Sequence, residues 1–226
     1  SLMTADPEIG LNAAAVFQAL ALGETLEDSP VLMVAPRCLQ NQVLARIDEE
    51  IAHARRGESA YIGLKLNSLT DKTIMGRLIE ASQAGVSIDM VVRGICCLVA
   101  GLPGVSETVT VYSVVGQLLE HSRIFRFENG GSPRLYLGSA DWMQRNLDRR
   151  VELVFPVEDE GIVRRVEEVI SLTTEDTVNA RVQLPDGSYE LQDPRGRPVL
   201  NCQTELAARA RRALQKKEKD INEGLI

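Results

Sequence analysis

Only two of the 226 residues are histidines, and one of them, His121, opens the stretch "HSRIFRFENGGSPRLYLGSADWMQRN". An imidazole can serve as a general acid, a general base or a phosphate-transfer nucleophile. Arg123 follows two residues later, so in an extended strand its side chain leaves on the same face. "RIFRFE" and "RLYLGS" both alternate around "NGG", which spells a β-hairpin. That hairpin would return Ser139 and Asp141 towards His121. A guanidinium can grip phosphate oxygens bidentately and a carboxylate can fix an imidazole tautomer, so this set suits phosphate chemistry. A histidine simply bonded into a loop would give the same string.

Three further positions could join it. Arg93 ends the apolar run "SIDMVV" and is followed by a glycine, so it is either buried against a carboxylate or reads an anion. Lys65 and Asn67 close "AYIGLKLN", the neighbouring strand, and can line the same edge. Ligands of open α/β sheets gather outside such strand ends. "RNLDRRVE" adds Arg145, Arg149 and Arg150. Read as extended, it sends Arg149 and Arg150 to opposite sides, so both cannot serve one site. The second histidine, His53, falls on the helical pattern "IDEEIAHARRG" and reads as a solvated surface residue.

The elements that must position these groups follow from periodicity. "ADPEIGLNAAAVFQALAL" starts with Asp6 as N-cap and Pro7 at the first helical position. "PVLMVAP" is a short buried strand, and "LQNQVLARIDEEIAHARRG" an amphipathic helix that stops at Gly57. A second strand, a helix from Thr70/Asp71 to Gly85, and a third strand complete an alternation that signals a parallel α/β sheet. Beyond Arg93 come a Gly/Pro-punctuated loop, a strand "VTVYS", a short helix "VVGQLLEH", the hairpin, a strand "RRVELVFPV" and the helix "EDEGIVRRVEEVISL". A small hairpin at Pro185–Gly187 and a charged terminal helix close the sequence.

Composition narrows the function classes. Hydrophobic residues make up 44% of the chain, enough for a core, but aromatics only 4%, so that core must be mostly Leu, Ile, Val and Ala. The net charge of −7 argues against nucleic-acid binding through a generally basic surface. The four cysteines, Cys38, Cys96, Cys97 and Cys202, lack zinc-finger spacing and read as small apolar residues. No apolar run approaches the roughly 20 residues of a membrane span. No basic segment followed by an apolar one opens the sequence, so a cytoplasmic location is expected. Phosphate-loop, GxGxxG, HExxH and GxSxG motifs are all absent.

"LMTADPEIG", "LKLNSLTDKTI", "EASQAGVSIDMVVRGICCL", "LEHSRIFRFENGG" and "GSADWMQRNLDRRVE" together resemble the carboxyl-terminal part of type 1 polyphosphate kinase. The similarity runs in order from Leu2 to about Val182, and the tail from Leu184 carries none of it. The resemblance implies an α/β fold, a phospholipase D-like mixed sheet flanked by helices, with a terminal helix. It also implies transfer of the terminal phosphate of ATP to inorganic polyphosphate, reversibly, through a phosphohistidine and with Mg2+. His121 would be catalytic, with Arg93, His121 and Arg150 contacting nucleotide or phosphate, and Arg123, Ser139, Asp141, Lys65 and Asn67 supporting them. The phospholipase D motif of His-x-Lys and Gly-Ser-x-Asn appears here as His121-Ser122-Arg123 and Gly138-Ser139-Ala140-Asp141, a departure that puts phosphodiesterase activity in doubt.

The family's phosphorylated histidine and its magnesium-linked arginines lie upstream of the segment with which this sequence begins. The expectation is therefore a fragment: residues 1–30 as the end of a preceding catalytic domain, 31–183 as the phospholipase D-like domain, and 184–226 as a divergent hairpin and charged helix. Expected partners are ATP/ADP, inorganic polyphosphate, the upstream domains and a second copy of the chain, with no nucleic acid. No metal ligand is expected in this stretch. Two other readings stay open: a phosphodiesterase or nuclease completed by homodimerisation, and a non-catalytic module that binds polyphosphate or nucleotide.

Overall fold

A computed structural model describes residues 2–222. Helix α1 (Pro7–Ala21) begins as the sequence dictates, with the Asp6 carboxylate accepting from the Ile9 amide at 2.9 Å. Strand β1 (Met33–Ala35), helix α2 (Cys38–Arg55), β2 (Tyr61–Leu66), α3 (Lys72–Gln83) and β3 (Ser87–Val92) follow. Asp71 caps α3 through the Ile74 amide, and Gly57 and Gly85 take the left-handed conformation that ends α2 and α3. Next come β4 (Val109–Val114), β5 (Arg123–Phe127), β6 (Arg134–Gly138), α4 (Gln144–Arg149), β7 (Glu152–Val157) and α5 (Glu160–Thr174). The hairpin β8 (Ala180–Gln183) and β9 (Tyr189–Leu191) precedes α6 (Cys202–Asn222).

The nine strands form one mixed sheet in the order β1-β7-β6-β5-β2-β3-β4-β8-β9. Only β2, β3 and β4 run parallel; the other pairings are antiparallel. The expected parallel alternation is therefore right for the centre and wrong for β1. That strand pairs with β7 at the sheet's far edge and does not join β2. Along β5, Phe125 and Phe127 enter the core built with α2 and α3, whereas Ile124 joins Leu135, Val157 and Ile170 under α5. Helices thus cover both faces, as a strand's period of two allows.

Two local expectations are corrected. "VVGQLLEH" is not helical: residues 115–122 form an irregular loop, and Leu118 turns both its backbone amide and its carbonyl to the Gln203 side chain. "RNLDRRVE" is not one strand, because α4 occupies Gln144–Arg149 and β7 starts only at Glu152. Leu147 is buried in the core and Asn146 reaches back to Glu152, which favours one and a half helical turns over extension. The opposed-sides argument for Arg149 and Arg150 lapses with the strand.

Trp142 lies fully buried after β6 and stacks on Phe125, with centroids 5.3 Å apart and rings 5° from parallel. Its carbonyl accepts from the Thr70 and Asp71 amides, so it also fixes the start of α3. Trp142→Ala should destabilise the chain by about 3–5 kcal/mol. Trp142→Phe should cost clearly less, since it keeps a ring and removes an indole N–H that has no partner. Urea unfolding followed by circular dichroism measures both, and equal losses would contradict the stacking account.

Candidate functional site

One edge of the sheet gathers the candidate residues. The carboxyl ends of β2, β3 and β4 lie there, beside the start of β5, the end of β6 and the start of β7. Asn67 and Arg93 directly follow β2 and β3, His121 lies two residues before β5, and Asp141 lies just after β6.

Arg93 and His121 meet. The Arg93 Nε donates to Asn67 Oδ1 at 2.7 Å, and an Nη lies 3.4 Å from His121 Nδ1. A guanidinium has no acceptor, so His121 Nδ1 takes the acceptor role in this contact and the ring proton belongs on Nε2. His121 itself is exposed. Gly94 allows this turn to form, because a Cβ there would sit 2.7 Å from the Asn67 carbonyl oxygen. The electrostatics single out Arg93. Among the described residues it is the one half-buried arginine with no carboxylate within ion-pair distance; Arg46, Arg77, Arg123, Arg126 and Arg209 are all paired.

Asn67 supports Arg93 directly, whereas the side chains of Asp141, Arg123, Lys65 and Ser139 are held by partners other than the His121 ring. Asp141 does not touch His121. It binds Arg123 at 2.8 Å and accepts from the Asn67 and Ser68 amides at 2.8 and 3.3 Å. Burial works against its charge, yet Arg123 and Asn67 outweigh that and hold the carboxyl below its ordinary value. Arg123 is correspondingly committed, with one Nη on Asp141 and the other on the His121 carbonyl at 2.9 Å. It therefore shapes the His121 backbone and offers the edge no open guanidinium.

Lys65 is buried and paired with Glu120 at 2.9 Å. Burial raises the Glu120 pKa, but Lys65 and Gln203 outweigh it and the group stays below its ordinary range. The Ser139 hydroxyl bonds the Glu152 carboxylate, which also accepts from Asn146 at 3.1 Å. Arg150 lies 3.9 Å from Glu152 and is half exposed; no contact joins it to Arg93 or His121 among the described residues.

His53 is not solvated. It sits at the opposite end of the strands, half-buried against Gly130 and bonded to Glu58 at 2.5 Å. Arg56 and His53 hold the Glu58 carboxyl down at about 2. A cleft of about 770 Å3 also lies at that far end, between α1, α5 and the β6–β7 pair. Arg46 and Arg134 share Glu49 and Arg164 pairs with Glu160, and Asp6, Glu8 and Glu158 also line the cleft, which makes it a poor anion receptor. Sequence reading missed Glu120, Glu152, Asn146 and Gln203. Adjacency to His121 pointed to Glu120, but nothing local marks Gln203, which arrives from the other end of the chain.

Fold and edge together define a helix-flanked mixed α/β domain that presents a histidine–arginine pair at the ends of its strands. Residues 32–203 match the family described as the polyphosphate kinase C-terminal domain 2, and the chain belongs to the polyphosphate kinase family. It is 41% identical over 214 residues to the polyphosphate kinase of Lactiplantibacillus plantarum, covering 95% of this chain and 30% of that protein. It is 47% identical over 197 residues to that of Pseudomonas aeruginosa, covering 87% of this chain and 28% of that protein. The crystal structure of polyphosphate kinase from Porphyromonas gingivalis superposes with a TM-score of 0.86 at 32% identity, over 96% of this chain and 33% of that one.

The chain thus spans about 30% of the length of the L. plantarum relative. The family match runs through residue 203 and takes in β8, β9 and the start of α6, so the likeness does not stop near Val182. No helix among the described residues is long and apolar enough to cross a membrane.

Proposed function

We propose that this chain supplies the nucleotide- and phosphate-contacting side of an ATP:polyphosphate phosphotransferase, and that the attacking histidine is held by the rest of the enzyme. The observation that carries the proposal is Arg93, a half-buried guanidinium held by a neutral amide, with no carboxylate paired to it, against His121. Such a group retains its charge for phosphoryl oxygens, where most of the stabilisation of phosphoryl transfer lies. Arg150, on the same edge and only distantly paired, would add a second contact as polyphosphate extends.

In the transfer step, a histidine outside this chain attacks the γ-phosphorus of ATP. The new N–P bond forms as the bond from the γ-phosphorus to the β–γ bridging oxygen breaks, and ADP leaves. His121, with its proton on Nε2, donates a hydrogen bond to the leaving side, while Arg93 offsets charge on the phosphoryl oxygens. Reversal returns the phosphate from histidine to ADP, and attack by a polyphosphate end elongates the chain.

Mg2+ would arrive on the nucleotide's own phosphates, and this reading takes no ligand for it from this edge. Among the described residues no three His, Cys, Asp or Glu side chains could hold a metal ion together, and Glu120 and Asp141 are already engaged by Lys65 and Arg123. The phosphodiesterase reading is weakened by the same pairing, since Arg123 stands where that motif needs a lysine available to phosphate.

Incubation of the chain with γ-labelled ATP and Mg2+, followed by alkali-stable phosphohistidine analysis, tests the assignment of roles. No label on His121 and no polyphosphate synthesis are expected from this chain alone. Stoichiometric label on His121 would make it the nucleophile and overturn the proposal.

A further inference from the structure

The loop that carries His121 has few apolar contacts of its own. Leu118 and Leu119 are 60% and 78% exposed, and residues 115–122 belong to neither helix nor strand. Something else must hold it, because His121 can meet Arg93 only if the preceding backbone is fixed. That something is Gln203, at the start of α6. Its Oε1 accepts from the Leu118 amide at 2.8 Å, and its Nε2 donates to the Leu118 carbonyl at 2.8 Å and to Glu120 Oε1 at 2.9 Å. The amide therefore satisfies both backbone groups of one loop residue, as a paired strand would.

The surroundings fit this clamp. A Cβ on Gly116 would fall 2.5 Å from the Gln203 Oε1, so the loop approaches as closely as a residue without a side chain permits. Glu120, the residue before His121, is held from its other oxygen by the buried Lys65 at 2.9 Å. Gln203 is buried, and its own position is set one residue earlier: the Cys202 amide donates to Asp176 Oδ2 at 2.7 Å. Asp176 is fully buried, and its other oxygen accepts from the Val178, Asn179 and Ala180 amides. A chain of short polar contacts thus runs from the connection before β8, through the start of α6, to the His121 loop.

We infer that Gln203 is a positioning residue for the phosphate site: it fixes the 116–120 backbone and so sets His121 against Arg93. This inference deepens the phosphate-site reading and rests on it for its functional consequence. The terminal helix is then part of the site's framework and not a divergent appendage.

Gln203→Met tests it, since it keeps side-chain length and helix preference but removes every polar contact. The His121 ring Cε1–Hε1 cross-peak should shift and broaden, with that of His53 unchanged. The Kd for tripolyphosphate should rise about tenfold, the order expected when a site's geometry loosens by a fraction of an ångström. Gly116→Ala attacks the same contact from the loop side and should reproduce both effects, which guards against a misfolded Gln203 variant. An unmoved His121 cross-peak and a Kd within about twofold of wild type in both variants would overturn the inference. If the cross-peak moves but wild-type chain binds no tripolyphosphate, the positioning role stands and the phosphate-site reading falls.

Discussion

Asp141→Ala is expected to be the most damaging single substitution at this edge, lowering stability by about 3–5 kcal/mol. Removing the carboxylate leaves Arg123, whose side chain is only 10% exposed, as an uncompensated charge. It also strips the Asn67 amide of its acceptor and leaves Asn67, which holds Arg93, less firmly placed. The effect has a defined pH dependence. The folded carboxyl ionises below its ordinary value, so its contribution is fully present above the pKa of the unfolded chain, about 4, and fades as pH falls through the depressed folded value. Wild type and Asp141→Asn should therefore differ at neutral pH and converge in acid. Urea midpoints across that range measure it, and a constant difference at all pH values would remove Asp141's charge from the account.

Arg93→Ala should leave stability nearly intact and weaken tripolyphosphate binding by about ten- to a hundredfold, the worth of one charge-assisted contact. The two halves of that expectation have separate causes. Arg93 forms no ion pair, though its charge helps hold the Glu120 carboxyl down, so its loss strands chiefly the buried Asn67 Oδ1, a cost of about 1 kcal/mol and well below that at Asp141. Its charge matters for binding because the chain as a whole carries −7 and repels anions at long range. Affinity must then come from a local site, and it should fall with added salt. His121→Ala should weaken binding less, up to about tenfold, since one ring N–H offers a single contact where a guanidinium offers several. Arg164→Ala, in the cleft at the far end of the strands, should leave the Kd unchanged. Calorimetric titration distinguishes these cases; equal affinity for wild type and Arg93→Ala would sink the site.

Much of this edge was legible in the sequence because strand ends are. The apolar runs before Asn67 and Arg93 place both residues at the carboxyl ends of neighbouring strands, and the alternation around "NGG" places Arg123 against Gly138. What was lost is the partner of each charge. Asp141 and His121 are near in the hairpin, yet Asp141 turns to Arg123 and to backbone amides on the β2 side, because a carboxylate gains more from a guanidinium and two N–H groups than from one imidazole. "VVGQLLEH" looks helical by composition, but both backbone groups of Leu118 are satisfied by Gln203, a contact no local window contains. His53 reads as surface from its helix alone; the hairpin loop that covers it comes from the far end of β5.

The most direct test of the central claim is a structure of this chain with tripolyphosphate bound. The account predicts phosphate oxygens within hydrogen-bonding distance of an Arg93 Nη and of His121 Nε2, at the ends of β2 and β3, with Arg123 still on Asp141. Tripolyphosphate seated instead among Arg46, Arg134 and Arg164, with Arg93 and His121 untouched, would contradict it.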